Sequence, residues 1–444
     1  MKILIVAQYF PPDITAAAFR MFETARLLEA KGHQVRVITA EPHRSQVHGD
    51  SATDYDSKIS HVRRTRVARL NGGGASDYIR HYTSFMLGSA WLGIRERLAG
   101  WRPDVIWASS PPLFVGLSGV AISRACRVPL VLDIRDIWPA SAVGAGQLSA
   151  DGRAYRIGER MERFIYSRAA HVTCVAQPMA EYIRTKTDTP VTVVYNGTNA
   201  SDITTQSTRA RGPNSDRTLL YAGNLGRAQQ LDLLIRAWAK VSRSNGHSEW
   251  KLKFLGTGAV ENDLKELATE LGVSESVVFM PPVSKRQAMS EMSRAGALSV
   301  SLQPDKVFEK TIPSKVFDCM AVGRPILAGV AGEARDILDE TGGNVCYQPG
   351  NRDGLEDALR TLVRDYPHLR QKACANTQRV LKAYTREKAV NVLIQVLHSV
   401  VANTGAHAQI DPVGDTCEAG MFKIETKGMP GKRNSPEHLG RSVR

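Results

Sequence analysis

Short apolar runs alternate with longer amphipathic stretches along almost the whole of this chain, and that regularity decides most of what it can fold into. Apolar runs bounded by turn residues suit strands buried on both faces, and the helical stretches between them suit crossover connections of a parallel sheet. In the first half the strand candidates are KILIVAQ (2–8), QVRVIT (34–39), VRRTRVAR (62–69), DVIWAS (104–109), PLVLDI (129–134), HVTCVA (171–176) and VTVVYN (191–196). A helix over residues 15–31 carries Phe19, Phe22, Ala25, Leu27 and Leu28 on one side and stops at Lys31-Gly32. Residues 199–216 are rich in Ser, Thr and Gly without periodicity and read as a linker. The alternation restarts with RTLLYAG (217–223), KLKFLG (251–256), SVVFMPPV (276–283), ALSVSLQ (297–303), PILAGV (325–330) and NVCYQP (344–349). The chain thus divides into one α/β domain at 1–198, a second at 217–385 and a closing helix at 386–402. Residues 403–444, punctuated by Gly and Pro, are expected to be poorly ordered.

Other classes fall away quickly. Hydrophobic residues make up 43% and charged residues 23%, which excludes a wholly disordered chain, a collagen-like fibre or a disulfide-stapled miniprotein. The uncharged stretch Val105–Ser123 approaches membrane-spanning length, but Pro111-Pro112 near its middle makes it a strand, a loop and a helix start. The apolar N-terminus is short and runs into Phe10-Pro11-Pro12, so it reads as a first strand rather than a signal peptide. Six scattered cysteines show neither a C-x-x-C nor a zinc spacing, which fits small core residues in a reducing compartment and no metal site. The formal charge of +14 calls for an anionic partner: nucleic acid, an acidic membrane face or a phosphorylated substrate.

Ligands of open parallel sheets bind at the carboxyl ends of the strands, so the strand-to-helix junctions are the places to search. In the stretch Val307-Phe308-Glu309-Lys310-Thr311-Ile312-Pro313-Ser314-Lys315, Pro313 suits the start of a helix that Gly323 closes. Ser314 and Lys315 then fall in its first turn, where free amides favour an anion. A lysine there runs against the dipole's own preference for acids. That inversion fits an anionic ligand, and an ordinary solvated lysine fits equally well. Asp318 lies one turn on and could face the same cleft. At the second junction, Gly223-Asn224-Leu225-Gly226-Arg227, two glycines allow close backbone approach and Arg227 carries the paired donors that grip a diphosphate. Gly256-Thr257-Gly258 lacks the third glycine of a dinucleotide fingerprint.

Taken in order, these phrases resemble the retaining family 4 glycosyltransferases over roughly residues 1–400. The likeness runs through the strand–FPP loop, LLEAKGHQVRVIT, LDIRDIWP, VVYNG, the GNLGRAQ turn, LKFLGTG, VVFMPPVS and FEKTIPSKVFDCMAVGRPIL. It is strongest to bacterial surface-polysaccharide enzymes of the colanic-acid and O-antigen types, fucosaminyl- and N-acetylglucosaminyltransferases among them. The resemblance implies a GT-B fold, two Rossmann-like parallel-sheet domains facing a cleft, with the nucleotide sugar held mainly by the second. It further implies transfer with retention and without a metal or other cofactor. Of the family's two glutamates, the later maps to Asp318, which would bind the ribose. The earlier falls on Lys310 beside Glu309, leaving Glu309 as its substitute. The usual phosphate clamp falls on Asn224 and Gln229, so Arg227 and Lys315 would supply the charge, with Ser314, Gly223 and Gly226 lining the donor. The family's acceptor-side histidine falls on Arg135, next to Asp136, and its glycine pair on Thr15-Ala16, near Asp13 and Arg20.

The expected mechanism stabilises the leaving diphosphate with Arg227, Lys315 and the amides near Ser314, while Asp136 orients the acceptor and Arg135 binds a phosphate of acceptor or donor. A salt bridge, between Arg135 and Asp136 or bracing the two domains, is the structural alternative. The resembled enzymes point to a UDP-N-acetylhexosamine or UDP-N-acetyl-fucosamine donor and a polyprenyl-diphosphate-linked glycan acceptor at the cytoplasmic face of the plasma membrane. Arginines 63, 64, 66, 69, 80, 95, 97 and 102 flank the apolar segment HYTSFMLGSAWLGI, a pattern suited to anionic lipid, with an ordinary core helix and its solvated rim as the competing account. Rival readings are a nucleotide-sugar epimerase of the same fold, for which the LDIRDIWP site lacks the histidine, and a non-catalytic nucleotide-sugar-binding assembly protein. A nucleic-acid-binding protein finds support only in the charge, because no helix–turn–helix, zinc-finger or RNP phrase is present.

Overall fold

The structure, a computed structural model, describes residues 1–43, 52–70, 75–144, 146, 148–207, 216–242 and 249–407. Two parallel sheets organise it. The first contains β1 (Lys2–Ala7), β2 (Gln34–Ala40), β3 (Val62–Thr65), β4 (Val105–Ser110), β5 (Leu130–Ile134), β6 (His171–Cys174) and β7 (Val191–Val193), in the order β3-β2-β1-β4-β5-β6-β7. The second contains β8 (Asp216–Ala222), β9 (Lys251–Leu255), β10 (Val277–Met280), β11 (Ala295–Ser301), β12 (Ile326–Gly329) and β13 (Asn344–Tyr347), in the order β10-β9-β8-β11-β12-β13. Every residue of β4, β5, β11 and β12 is buried. That is what continuous apolar runs achieve when helices cover both faces of a sheet.

One face of the first sheet lies under the helices Ala75–Leu98, Phe114–Cys126 and Arg153–Arg168. The other lies under Ala16–Ala30 and the last helix, Arg386–His407, whose Val390, Leu393, Val396, Leu397 and Val400 pack with Met21, Phe22, Ala25 and Leu28. The chain therefore enters the second lobe and comes back. Both passages meet in one place: Thr198 and Thr385 form a parallel bridge, and the Arg386 amide donates to the Thr198 carbonyl at 2.9 Å. A Cβ at Gly197 would run into the backbone of Tyr384, Thr385 and Arg386, so this close approach requires glycine.

The lobes touch along the carboxyl edges of their sheets. Glu333 accepts from the Gln177 amide at 2.7 Å and from the Tyr195 hydroxyl. The Lys310 ammonium lies 4.9 Å from the centroid of the Tyr182 ring. Asp305 packs against Gly144, where a Cβ would meet its carboxyl carbon at 2.9 Å.

Three expectations need adjustment. The segment assigned to a linker begins with a helix, Ala200–Ser207, held by Ile203, which is buried, and by its Ala200 amide facing Glu387. Residues 208–215 lie outside the described residues. The closing helix continues to His407, beyond the expected end at 402, and the rest of the proposed tail is outside the described residues. β3 and β7 are shorter than their apolar runs because each is an edge strand with one neighbour. Among the described residues no helix is long and apolar enough to cross a membrane, and Val105–Ser123 forms β4, a turn and the start of a helix. Cys126, Cys174 and Cys319 are buried free thiols, Cys346 is half-buried and Cys374 exposed.

Candidate active site

In each sheet the strand order reverses next to its first strand, between β1 and β4 in one and between β8 and β11 in the other. Loops leaving neighbouring strands diverge there and open a crevice. The second crevice holds the Gly223–Gln230 turn after β8 and the segment from Leu302 to the helix Ser314–Val322 after β11.

Pro313 is the cap residue of that helix and Gly323, at φ 70°, ends it in the left-handed conformation. No side chain caps its first turn, so the amide ends around Ser314 are left for a ligand or water. Lys315 is half-buried and folds back across the crevice. Its ammonium lies 3.5 Å from the centroid of the Tyr221 ring. A Cβ on Gly223 would meet Lys315 Nζ at 2.8 Å, so glycine there lets the lysine lie on the backbone. Gly223 has φ 138°, and its carbonyl is in turn overlain by Gly256. Loss of hydration in this corner lowers the Lys315 ammonium to about 7, against the opposing pull of Cys319 and Asp318. Gly223, Ser314 and Lys315 are thus brought together, with Tyr221 as a member that sequence reasoning passed over.

Other candidates lie elsewhere. Asn224 and Arg227 are exposed. The Asn224 carbonyl accepts from the Tyr221 hydroxyl at 2.7 Å, and the Gly226 amide donates to the Gln229 side chain at 3.1 Å. Arg227 lines a hollow of about 210 Å³ with Asp232 and Asp263. Glu309 is exposed, and its backbone carries the close approach of Gly332. Lys310 faces the first lobe through Tyr182, whose hydroxyl donates to buried Glu162 at 3.1 Å.

Asp318 is half-buried. Burial pushes its carboxyl up, opposed by Lys285, while Glu23 pushes in the same direction as burial. Lys285 and Arg386 both pair with Glu23, at 2.7 and 3.1 Å. Asp318 therefore borders an ion cluster built from the first helix, the Lys285–Arg294 helix and the returning helix. No local signal announces Glu23, Lys285 or Arg386, because the three meet only through the crossing of the lobes.

On the first-lobe side, Thr15 caps the helix Ala16–Ala30 by accepting from the Ala18 amide at 3.0 Å. Arg20 is buried and paired with Asp133 at 2.6 Å. Asp136 faces the Ser141 hydroxyl and the Ile137 amide, and burial raises its carboxyl pKa. Arg135 makes no contact ion pair with Asp136, and its Nε is buried without a partner. Burial and the neighbouring Arg20 lower the Arg135 guanidinium to about 9. Among the described residues no three His, Cys, Asp or Glu side chains gather as a metal ion would need.

Comparison with known proteins places this architecture in a class. Residues 15–197 match the glycosyl transferase 4-like domain family and residues 202–380 the glycosyl transferases group 1 family. The chain belongs to the family 4 glycosyltransferases of the GT-B fold. It is 23% identical over 396 residues to the colanic acid biosynthesis glycosyl transferase WcaI of Escherichia coli, covering 82% of this chain and 95% of that one. It is 24% identical over 371 residues to a GDP-mannose-dependent alpha-mannosyltransferase of Mycolicibacterium smegmatis, covering 82% and 88%. In fold it is similar to Anabaena HepE, solved in complex with UDP and glucose, with TM-score 0.66, 16% identity and coverage of 90% and 100%. WaaG, a glycosyltransferase of lipopolysaccharide biosynthesis, gives TM-score 0.63, 14% identity and coverage of 88% and 99%.

The half-buried lysine gives the site a pH signature. Below pH 7 Lys315 is charged in the free protein, and above it the amine is increasingly neutral, so a diphosphate must bind together with a proton. Calorimetry with UDP in buffers of different ionisation enthalpy is expected to show proton uptake near pH 7.5 and weaker binding as pH rises from 6 to 8.5. Lys315→Met is expected to lose both effects. A wild-type affinity that is flat across this range contradicts the assignment.

Proposed function

We propose that this glycosyltransferase moves a sugar from a nucleoside-diphosphate sugar to a hydroxyl of a lipid-linked glycan in bacterial polysaccharide biosynthesis, with retention and without a metal ion. The observation that carries the reading is Lys315 lying on Gly223 at the mouth of the second crevice, beside the uncapped amides of the Ser314 helix. WcaI, named for colanic acid biosynthesis, supports the polysaccharide context. The UDP complex of HepE and the GDP-mannose enzyme support a nucleotide-sugar donor and leave the base open, with UDP-N-acetylhexosamine and UDP-N-acetyl-fucosamine as first choices.

In this mechanism the bond between the anomeric carbon and the diphosphate oxygen breaks, and the electron pair leaves with the diphosphate. Lys315 and the helix-end amides meet that charge in a site partly withdrawn from water, where fixed donors act most strongly. The acceptor hydroxyl attacks the face just vacated, and its proton passes to the departing phosphate oxygen, so the carboxylate of Asp136 need only orient the hydroxyl. Asp318 would accept from the ribose at the edge of the ion cluster. Arg227 and Glu309, both exposed, take part only if the donor draws their segments inward.

The outer helix layer of the first lobe supports a lipid-facing role. Phe85 of the apolar segment is core, whereas Leu87 and Trp91 are 61% and 60% exposed on the outer face of Ala75–Leu98. Arg64 is not free for lipid, being bonded to Asp56 at 2.7 Å. The helix Arg153–Arg168, in the same layer, adds exposed Arg153, Arg156, Arg160 and Arg163 around exposed Ile157 and Phe164. Basic side chains around apolar ones fit the plane of an anionic membrane surface at the cytoplasmic face.

Incubation with a panel of nucleotide sugars and a prenyl-diphosphate-linked glycan in EDTA is expected to give acceptor-dependent release of nucleoside diphosphate and a product of retained configuration. Lys315→Ala should lower turnover by about 10²-fold or more. A sugar isomer formed without acceptor would establish the epimerase, and binding without turnover the assembly protein. In flotation, the wild-type chain should follow vesicles containing anionic lipid and be released by salt, and Leu87→Ser/Trp91→Ser should remain behind. Equal partition with neutral vesicles would remove the membrane from the reading.

A further inference from the structure

The interdomain cleft has a second basic centre besides Lys315. Arg20, Arg135 and Arg386, from the first helix, the end of β5 and the start of the returning helix, lie near enough that Arg20 and Arg386 both depress the Arg135 guanidinium and Arg20 depresses that of Arg386. The carboxylates around them have partners of their own. Asp133 accepts from the two terminal nitrogens of Arg20 at 2.6 and 3.2 Å, from Ser109 Oγ at 2.8 Å and from Thr173 Oγ1 at 2.9 Å. Glu23 gives one oxygen to Lys285 at 2.7 Å and the other to Arg386 Nε at 3.1 Å. Asp136 is turned to Ser141 and Ile137.

Two donors remain. Arg135 Nε and Arg386 Nη1 are buried and have no hydrogen-bond partner. Arg386 as a whole is only 5% exposed. Native proteins rarely leave buried polar groups unpaired, and a charged one is the most costly to leave so. Both orphans are donors on cations of like sign, so the missing partner is an anion with several acceptor oxygens. Phosphate oxygens match the guanidinium fork in both shape and charge.

We infer that Arg135 and Arg386, with Arg20 beside them, form a subsite for the phosphate group of the acceptor, distinct from the place of the donor's diphosphate. The word acceptor rests on the transferase reading above; the anion subsite itself does not. The charged group acting on Lys315 is Asp318, and these arginines are not among its neighbours. Asp318 neighbours both centres and so separates two positive sites that would otherwise repel. A phosphate held on the first-lobe side would fix the position of an acceptor whose hydroxyl must reach the donor sugar across the cleft.

Calorimetry on the full chain with inorganic pyrophosphate and with farnesyl diphosphate, each with and without saturating UDP, tests this. Both ligands are expected to bind alongside UDP. Arg135→Gln, which breaks no hydrogen bond of the free protein, should weaken both at least tenfold while UDP affinity stays within twofold. Arg386→Lys, which keeps a cation for Glu23 but removes the Nη1 donor, should act in the same direction. Displacement of pyrophosphate by UDP, or indifference to Arg135→Gln, overturns the subsite. Binding of pyrophosphate but not of farnesyl diphosphate overturns its assignment to the acceptor. Failure of UDP to bind while pyrophosphate still does counts against the donor reading and leaves the subsite standing.

Discussion

Everything in the cleft depends on the chain crossing between its lobes twice at one point. Thr198 lies beside Thr385 and bonds through its backbone to Tyr384 and Arg386, and Gly197 has no side chain because the returning backbone occupies that space. The outgoing strand is thereby tied to the incoming helix, and the helix is sealed to the first lobe by its row of buried Val and Leu side chains. Arg386, the first residue after the bridge, then reaches Glu23 of the first helix, which also holds Lys285 of the second lobe. Three elements far apart in sequence share one carboxylate. Contacts such as Asp305 on Gly144 and Lys310 on Tyr182 follow from the same arrangement, because it brings the carboxyl edges of both sheets face to face.

Within that cleft the charges are placed against their local preferences. A lysine in the first turn of a helix opposes the dipole, and one pressed against glycine and a tyrosine ring gives up part of its hydration. Arg135 likewise sits beside Arg20, with its Nε unpaired. Neither arrangement stabilises the empty protein. Both would become favourable with phosphate oxygens present, which is why the proposals above place anions there. Surface arginines such as Arg227, solvated and close to Asp232 and Asp263, lack that character, whatever their sequence surroundings imply.

The fold was largely legible because its signal is repeated. Each buried strand must be apolar on both faces and each crossover helix must have an apolar side, so strands such as β4 and β11 stand out in the sequence. The Pro313–Gly323 helix could be placed to the residue because its start and stop rest on backbone chemistry. The helix Ala200–Ser207 was not visible, since a single buried apolar residue, Ile203, anchors it and leaves no periodicity to read. Gly223 and Ser314 could be placed in the sequence because a turn and a helix start demand them, and Lys315 because a cation there runs against the helix dipole. Tyr221 looked like one more strand residue. Glu23, Lys285 and Arg386 were invisible for a different reason: their pairing is made only by the tertiary crossing of two lobes, and the exposure of Arg227 could not be read either, because charge in a turn says nothing about which way it faces.

The central claim is that a nucleoside diphosphate is held by Lys315 and the free amides of the Ser314 helix rather than by the glycine turn's own arginine. A crystal structure of the chain with a bound nucleoside diphosphate tests this most directly. The account predicts phosphate oxygens within hydrogen-bonding distance of Lys315 Nζ and of the amides that open the helix. Phosphates resting on Arg227, with Lys315 still folded onto Tyr221 and Gly223, would contradict it.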